Sequence, residues 1–311
     1  MRVVIALGGN AILQRGEPLD CDTQRKNIKI AAESIARIAK DHQVILTHGN
    51  GPQVGLLALM NDHYKDVAPY PLDSLGAQTQ GMIGYLFEQE LRNQMPGRKV
   101  CVMSTQTLVD SDDPAFTDPD KFVGPVYSRE QADSLLKEHP DWVIKADGKH
   151  FRRVVASPKP QAILELPSLQ HLVSAEDITV ICGGGGGVPV RRTSDGLLKD
   201  VEAVIDKDRS SSLLAEKLNA DAFLILTDVD SVATQFGHPK SKNIRAATPE
   251  GLDQFDFASG SMGPKIEAAV DFVKHTGKMA AIGSLNRCSE ILCSDSGTVI
   301  RPDVPGQVTY Y

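Results

Sequence analysis

The stretch Val44-Ile45-Leu46-Thr47-His48-Gly49-Asn50-Gly51-Pro52-Gln53-Val54-Gly55 reads as a buried strand, a glycine turn and the opening of a helix. Val44–Thr47 is short, apolar and largely β-branched. Pro52 suits the first turn of a helix, where its fixed φ is already right and its missing N–H is no loss. The free N–H groups and dipole of such a helix start favour a phosphate or carboxylate. The pattern recurs. Val3–Leu7 leads into Gly8-Gly9, Ile178–Cys182 into Gly183–Gly187, and Phe223–Leu226 into Thr227-Asp228; Val100–Ser104 and Thr298–Ile300 are further strands. The runs are continuously apolar rather than alternating, which suits strands covered by helices on both faces.

Helical segments lie between them. Ile28, Ala31, Ala32, Ile35, Ile38 and Ala39 trace one helix face, with Thr23 as its expected N-cap. Met82, Ile83, Leu86 and Leu91 do the same after Asp73-Ser74, and Leu213, Leu214 and Leu218 follow Asp206–Asp208. Pro264 opens a helix carrying Ile266, Ala269, Val270 and Val273. Strands alternating with helices predict an α/β fold, a three-layer α/β/α sandwich on a mainly parallel open sheet. One stretch breaks the rhythm. Seven of the 18 prolines fall between Pro114 and Pro167, and acidic residues cluster at Asp110–Asp120. Residues of about 112–156 read as a subdomain or lid inserted into a single domain spanning 1–311, with Phe122, Val123, Tyr127, Trp142, Val143 and Phe151 to pack it; a long disordered loop is the alternative.

Composition narrows the function. The 311 residues are 41% hydrophobic and 23% charged, as in ordinary globular proteins, with a net charge of -7. That balance argues against nucleic acid and against anionic membranes, both of which need a basic face. No apolar run approaches the roughly 18–20 residues of a membrane span. Val3–Leu7 is broken at once by Gly8-Gly9-Asn10, so it reads as a first strand rather than a signal peptide. The five cysteines are scattered without a CxxC pair, the pattern of reduced thiols in a cytoplasmic protein, and the eight histidines include no HxxxH pair.

Glycines and lysines carry the chemistry. Gly8-Gly9, Gly49–Gly51 and Gly183–Gly187 each follow a strand, so in a parallel sheet they gather at the carboxyl edge, where open α/β sheets bind ligands. Neither GxxxxGK[ST] nor a well-spaced dinucleotide fingerprint is present, which removes P-loop enzymes and nicotinamide oxidoreductases. Lys207 sits in Ile205-Asp206-Lys207-Asp208, where two flanking carboxylates are expected to keep its ammonium protonated and aimed. Lys265, in Gly260-Ser261-Met262-Gly263-Pro264-Lys265, projects from a helix start, a place unfavourable to a cation unless an anion binds there. Taken singly, a solvated Asp-Lys-Asp loop and a surface lysine remain open readings.

The strings Ala6–Ala11, His48–Gly55, Gly76–Tyr85, Arg152–Pro160, Gly184–Val190, Glu202–Asp208 and Gly260–Lys265 together resemble carbamate kinases of the amino-acid kinase superfamily, collinearly over nearly the whole chain. The resemblance implies the amino-acid kinase fold with a protruding subdomain, a homodimer, Mg²⁺ held mainly by the nucleotide phosphates, and reversible transfer: ATP plus carbamate gives ADP plus carbamoyl phosphate. It also implies frequent use in the ATP-making direction, on carbamoyl phosphate from arginine, citrulline or purine breakdown. Most of the superfamily carries a lysine on the first strand where this chain has Ala6; carbamate kinases lack it and use the lysine matching Lys207. By that resemblance Lys207 and Lys265 bracket the moving phosphoryl, Asp208 orients them, Asp206 steadies Lys207 or approaches the metal, and Lys121 reaches over the site. Gly8, Gly9, Asn10, Gly49, Asn50 and Gly51 would cradle phosphoryl and carbamate. Gly184, Gly185, Thr227, Asp228, Val229 and Met262 would meet the nucleotide.

Departures from the family pattern are few. Leu75 stands where many members have cysteine, Lys199-Asp200 is expected to add charge near the site, and the tail Val304–Tyr311 is expected to be disordered or packed on a neighbour. Two other readings stand beside this one: a superfamily kinase for a different small carboxylate or phosphate acceptor, and a non-catalytic carbamoyl-phosphate sensor. Ala6 with the Asp-Lys-Asp lysine argues against the first, and the retained Lys121, Lys207 and Lys265 against the second.

Overall fold

The computed structural model describes residues 1–9, 12–14, 16–258 and 260–311; the site expectation at Asn10 lies outside them. The chain begins with β1 (Arg2–Leu7), α1 (Cys21–Ala39), β2 (Gln43–His48), α2 (Gly51–His63), α3 (Leu72–Gln94), β3 (Lys99–Val102) and β4 (Gln106–Val109). It continues with β5 (Lys121–Tyr127), α4 (Arg129–Glu138), β6 (Val143–Asp147), β7 (His150–Val155), β8 (Pro160–Ile163), α5 (Leu166–Ser174) and β9 (Ile178–Ile181). Next come β10 (Val188–Arg192), β11 (Leu198–Asp200), α6 (Lys207–Lys217), β12 (Ala222–Thr227), β13 (Ile244–Ala247) and α7 (Pro249–Leu252). The last elements are α8 (Met262–Thr276), β14 (Met279–Ser284), α9 (Cys288–Leu292), β15 (Thr298–Ile300) and β16 (Val308–Tyr310).

Nine strands form the main sheet in the order β16-β13-β15-β14-β12-β1-β2-β9-β3. The six from β14 to β3 run parallel. Successive side chains of a strand point to opposite faces, and here they divide into two cores. Val3, Ile5, Leu7, Val44, Leu46, Leu224 and Leu226 face α1 and α3. Val4, Ala6, Ile45, Val180, Phe223 and Ile225 face α5, α6 and α8. Both faces are dry, which is why these strands read as unbroken apolar runs, and the result is the three-layer sandwich.

Helix α1 starts earlier than its sequence suggests. Asp20, not Thr23, is the N-cap, because its carboxylate accepts from Thr23 N at 2.8 Å and so places Thr23 in the third helical position. The C-terminal tail is also ordered within the chain. β16 pairs antiparallel with β13 on the sheet edge, Gln307 O accepts from Thr248 N at 2.8 Å, and the Tyr311 hydroxyl donates to Gly297 O at 2.7 Å. Among the described residues no helix is long and apolar enough to cross a membrane.

A separate antiparallel sheet, in the order β5-β7-β6 and flanked by α4, occupies part of the proline-rich stretch. It has little core of its own. Val123 is buried, Tyr127, Trp142 and Phe151 are partly buried, and Phe122 and Val143 are exposed, so the expected apolar packing is partial. Cation–π stacks add to it, with Arg153 over Trp142 at 4.0 Å and Arg129 over Phe151 at 4.1 Å. This sheet rests on α2, where a Cβ added at Gly55 would lie 3.4 Å from Gly124 Cα; Val123 and Val155 join Val54, Leu72 and Leu75 beside that contact. Deleting residues 305–311 is expected to lower the thermal midpoint by roughly 5 °C or more, because it bares β13 and the apolar face under Val308. Activity at 25 °C should survive, since no residue of the tail lines the cleft described below; thermal melts with parallel assays check both points.

Candidate active site

The carboxyl ends of β1, β2, β9 and β12 lie side by side, so the turns after them share one edge of the sheet. The first two turns are pressed together. A Cβ on Gly49 would lie 3.1 Å from Gly9 N and 3.4 Å from Lys207 Cε, so a side chain there would press on the Gly9 backbone where the turns close over the Lys207 stem. Their N–H groups are not all turned to a ligand, however. Gly8 N donates to Leu226 O at 2.8 Å and Gly49 N to Leu7 O at 3.0 Å, extending the sheet by one rung each. The donors of α2 that precede its first i→i−4 bond, Val54 N to Asn50 O, are those of Gly51 and Gln53, Pro52 having none. Asn50 is braced behind them, its Nδ2 donating to Thr79 Oγ1 at 2.8 Å.

Gly183–Gly187 acts differently from expectation. Gly183, Gly185, Gly186 and Gly187 take positive φ, and a Cβ on Gly184 would sit 2.6 Å from the His48 ring. A Cβ on Gly185 would sit 2.2 Å from the Asn50 amide. Here glycine is required by tight packing under His48 and Asn50. Gly184 does not line the cleft, and the turn lies three strand spacings from Thr227, about 14 Å across the sheet. The structure therefore places this turn at the Asn50 end of the cleft, away from Thr227, Asp228 and Val229. The last three line the cleft at its other end, and Met262 lines the same cleft.

Between these ends stands a cluster of charges. Lys207 is the first residue of α6, and Lys265 lies in the first turn of α8. Both reach Asp208, with Lys207 Nζ 2.5 Å from Oδ1 and Lys265 Nζ 2.8 Å from Oδ2. Asp206 does not touch Lys207. Its Oδ2 holds Lys121 Nζ at 2.9 Å, and its Oδ1 caps α6 by accepting from Asp208 N and Arg209 N at 2.9 and 3.3 Å. Helix geometry sends successive first-turn side chains to different sides, which is why the flanking carboxylates do not both serve Lys207.

Burial opposes charge throughout the cluster. It lowers the Lys207 pKa, with the Lys265 ammonium working in the same direction, and Asp208 restores only part of this. Of the two flanking carboxylates expected to support the Lys207 ammonium, Asp208 does so most, Asp206 adds less, and burial outweighs both in direction. Burial also acts against Lys265, but Asp208 outweighs it and the Lys265 pKa is raised. Both carboxylates resist burial through their lysines: Asp208 is lowered by Lys207 and Lys265, and Asp206 is held far below the usual range by Lys121 and then Lys207. His48, fully enclosed and close to Lys207, is pushed down to about 4, chiefly by burial. Its Nδ1 lies 3.1 Å from Gly49 O, and its ring stacks on Phe87.

The cleft these groups line has a volume of about 1780 Å³. Gly8, Gly9, Gly49, Asn50, Gly51, Gly185, Lys121, Asp206, Lys207, Asp208, Thr227, Asp228, Val229, Met262 and Lys265 all border it. Lys199 and Asp200 do not. They sit on β11 in a separate hollow with Ser111 and Phe116. Sequence reading missed Arg209 and Phe236, which also border the cleft, and Phe236 is 85% exposed there. Arg209 was discoverable: it is a cation in a first helical turn, the same signal that singles out Lys265. The arrangement brings three ammonium groups to the junction of two glycine turns, a site suited to neutralising a phosphoryl group in flight.

Residues 1–284 match the amino acid kinase family. The chain is 50% identical over 312 residues to the carbamate kinase of Haemophilus influenzae, covering 100% of both. It is 52% identical over 303 residues to that of Rhizobium meliloti, covering 96% of this chain and 93% of the relative. Among solved structures, the carbamate kinase of Giardia lamblia bound to AMP-PNP superposes with a TM-score of 0.89 at 42% identity, over 97% of this chain and 98% of its own.

His48 generates a prediction about pH. Its folded pKa, about 4, lies below the ordinary 6.5, so between these values the unfolded chain binds more protons and stability falls as pH falls. The imidazole accounts for roughly 3 kcal/mol over that window. Urea titrations at a series of pH values should show a slope in the upper half of the window, above the carboxylates, that His48→Gln flattens.

Proposed function

The chain belongs to the amino acid kinase family and, within it, to the carbamate kinases, and from that premise we propose that its cleft moves a phosphoryl group reversibly between ATP and carbamate, chiefly toward ATP. The observation that carries this reading is the double hold on Asp208. One buried carboxylate occupies two lysine ammoniums at 2.5 and 2.8 Å, in the place where phosphoryl oxygens would take them over.

In the direction of ATP synthesis, a terminal oxygen of ADP attacks the phosphorus of carbamoyl phosphate. The new O–P bond forms as the bond from phosphorus to the carbamate oxygen breaks, and carbamate leaves with that electron pair. Carbamate is already an oxyanion, so neither direction needs a side chain to take a proton from the nucleophile. Lys207 and Lys265 neutralise the equatorial oxygens from α6 and α8, and Asp208 keeps both aimed between turnovers. Lys121 adds a third cation from β5 once it leaves Asp206. Gly9, Gly51 and Asn50 hold the carbamoyl end, where Gly185 leaves room for the Asn50 amide. Thr227, Asp228, Val229, Met262 and the exposed Phe236 meet the nucleotide end.

Mg²⁺ belongs to the same reading. Among the described residues no group of three His, Cys, Asp or Glu side chains is placed to hold a metal alone, and Asp206 and Asp208 already hold lysines. That donor set fits an ion that keeps most of its waters and is carried by nucleotide phosphates. Bound there, it would offset charge on the β- and γ-phosphates. Residues 112–156 serve as a lid, and the active form is a homodimer. The support for a dimer is the apolar surface at the end of α2, where Leu59 and Met60 are 47% and 60% exposed, followed by Val67 and Tyr70 at 60% and 63%.

Carbamoyl phosphate with Mg·ADP should yield ATP in a coupled assay, and Lys207→Ala and Lys265→Ala should each lower the rate roughly 10²-fold or more. Wild-type protein that forms no ATP from carbamoyl phosphate, yet phosphorylates another acyl acceptor, would overturn the assignment. Met60→Glu with Val67→Glu should convert the dimer to a monomer in sedimentation; an unchanged sedimentation coefficient would remove this face as the interface.

A further inference from the structure

Helices α6 and α8 pack side by side, and two ion pairs cross between their opening turns. The inner one joins Lys265 Nζ to Asp208 Oδ2 at 2.8 Å and is buried. The outer one joins Arg209 Nη2 to Glu267 Oε2 at 2.8 Å and is partly exposed. Their polarity is reversed, since α6 offers an acid and then a cation, whereas α8 offers a cation and then an acid. Asp208 and Arg209 differ by about 100° of helical rotation and Lys265 and Glu267 by about 200°, so the pairs cross on different flanks. One pair alone lets a helix roll about it; two on different flanks fix the roll. Farther along, His275 Nδ1 lies 3.0 Å from Glu216 Oε2, so the two helices stay level toward their far ends. Arg209 is also a cation at a helix start, where the dipole disfavours positive charge, and its Nε is buried without a partner among the described residues. Lys265, Asp208 and Arg209 border the cleft, but Glu267 does not. A ligand can therefore compete for both ends of the inner pair and for only one end of the outer.

We propose that Arg209 is a positioning residue: through Glu267 it ties α6 to α8 independently of substrate, and so keeps Lys207 and Lys265 at their spacing while a phosphoryl group holds their ammoniums. The inner pair cannot do this. Lys265 must leave Asp208 to meet the phosphoryl oxygens, and at that moment the inner tie is gone. The outer pair shares no atom with the moving group. Without it the opening turns roll and the two ammoniums part, which costs rate at the chemical step more than it costs binding. Arginine suits the role, because its planar guanidinium stays charged and meets a carboxylate in a fixed geometry. The kinetic side of this proposal rests on the phosphotransfer reading above; the tie between the helices does not.

The test uses full-length protein, the single variants Arg209→Gln and Glu267→Gln, and the exchange Arg209→Glu with Glu267→Arg. The first readout needs no activity: competitive acetylation, with Lys265 followed by mass spectrometry against the exposed Lys26. Each single change should speed Lys265 labelling several-fold, and the exchange should return it toward the wild-type rate. Through-space charge alone would move the two single variants in opposite directions, so a gain in both reports the tie. The second readout is the coupled assay. Each single change should lower kcat roughly fivefold with little change in KM, the size a partly exposed ion pair can supply, and the exchange should recover most of the loss. Labelling that is unchanged in both single variants, or that moves in opposite directions, overturns the tie, whatever the protein proves to catalyse. Faster labelling with kcat unchanged overturns the positioning role. A raised KM in Arg209→Gln that the exchange worsens also overturns it, and makes Arg209 a ligand of the substrate instead. Glu267→Gln keeps the shape of a partly exposed side chain, so its arm stands even where the exchange folds poorly. Absence of ATP formation by wild type overturns the phosphotransfer reading alone.

Discussion

A single carboxylate, Asp208, makes the centre of this molecule tolerable. Two lysine ammoniums lie almost wholly out of water within reach of each other, an arrangement whose desolvation and repulsion would each cost several kcal/mol if left unanswered. Asp208 answers both with its two oxygens, and it can do so only because α6 and α8 pack side by side on one face of the sheet with their first turns level. The cap on α6, the sheet rungs at Gly8 and Gly49, and the glycine approach over the Lys207 stem all serve to hold that level. The resting site therefore sets one carboxylate against two ammoniums and keeps a surplus of positive charge. On the proposed reading, a phosphoryl group entering it would exchange one anionic partner for another, and the lysines would not need to be desolvated anew at the moment of reaction.

Much of the fold was legible because parallel strands buried on both faces must be apolar throughout. Val3–Leu7, Val44–Thr47 and Phe223–Leu226 announce themselves without any alternation, and each ends where a glycine or Thr-Asp turn begins. Lys207 and Lys265 were legible for a related reason: a cation at a helix start is locally unfavourable and so invites a functional reading. Arg209 carries the same signal and was passed over because it directly follows a more familiar Asp-Lys-Asp motif.

What was not legible depends on partners far apart in sequence. Asp206 looks like a companion of Lys207, its neighbour, yet its oxygens go to a helix cap and to Lys121, 85 residues away. The five glycines follow a strand as a phosphate turn would. Only the approach of His48 and Asn50 shows that Gly184 and Gly185 are small because side chains of β2 and the next turn press on them. Edge strands such as β16 are too short to show a period, so the tail gave no sign of joining the sheet. The small sheet misled in another way: its aromatic residues suggested a core, whereas they lie flat under arginines.

The middle of the main sheet has a consequence in time. β1 lies between β2 and β12, and its register with β12 joins Val3 to Ala222. Local pairing can supply one side of β1 early, but the other side waits for a partner more than two hundred residues downstream, the kind of distant closure that slows folding. Until β12 arrives, Gly8 N lacks the Leu226 carbonyl that anchors it, and α8 lacks the strands on which it aligns its first turn with that of α6. The edge that lines the cleft is thus among the last parts to mature, and a partly folded chain carries an apolar half-sheet but no kinase.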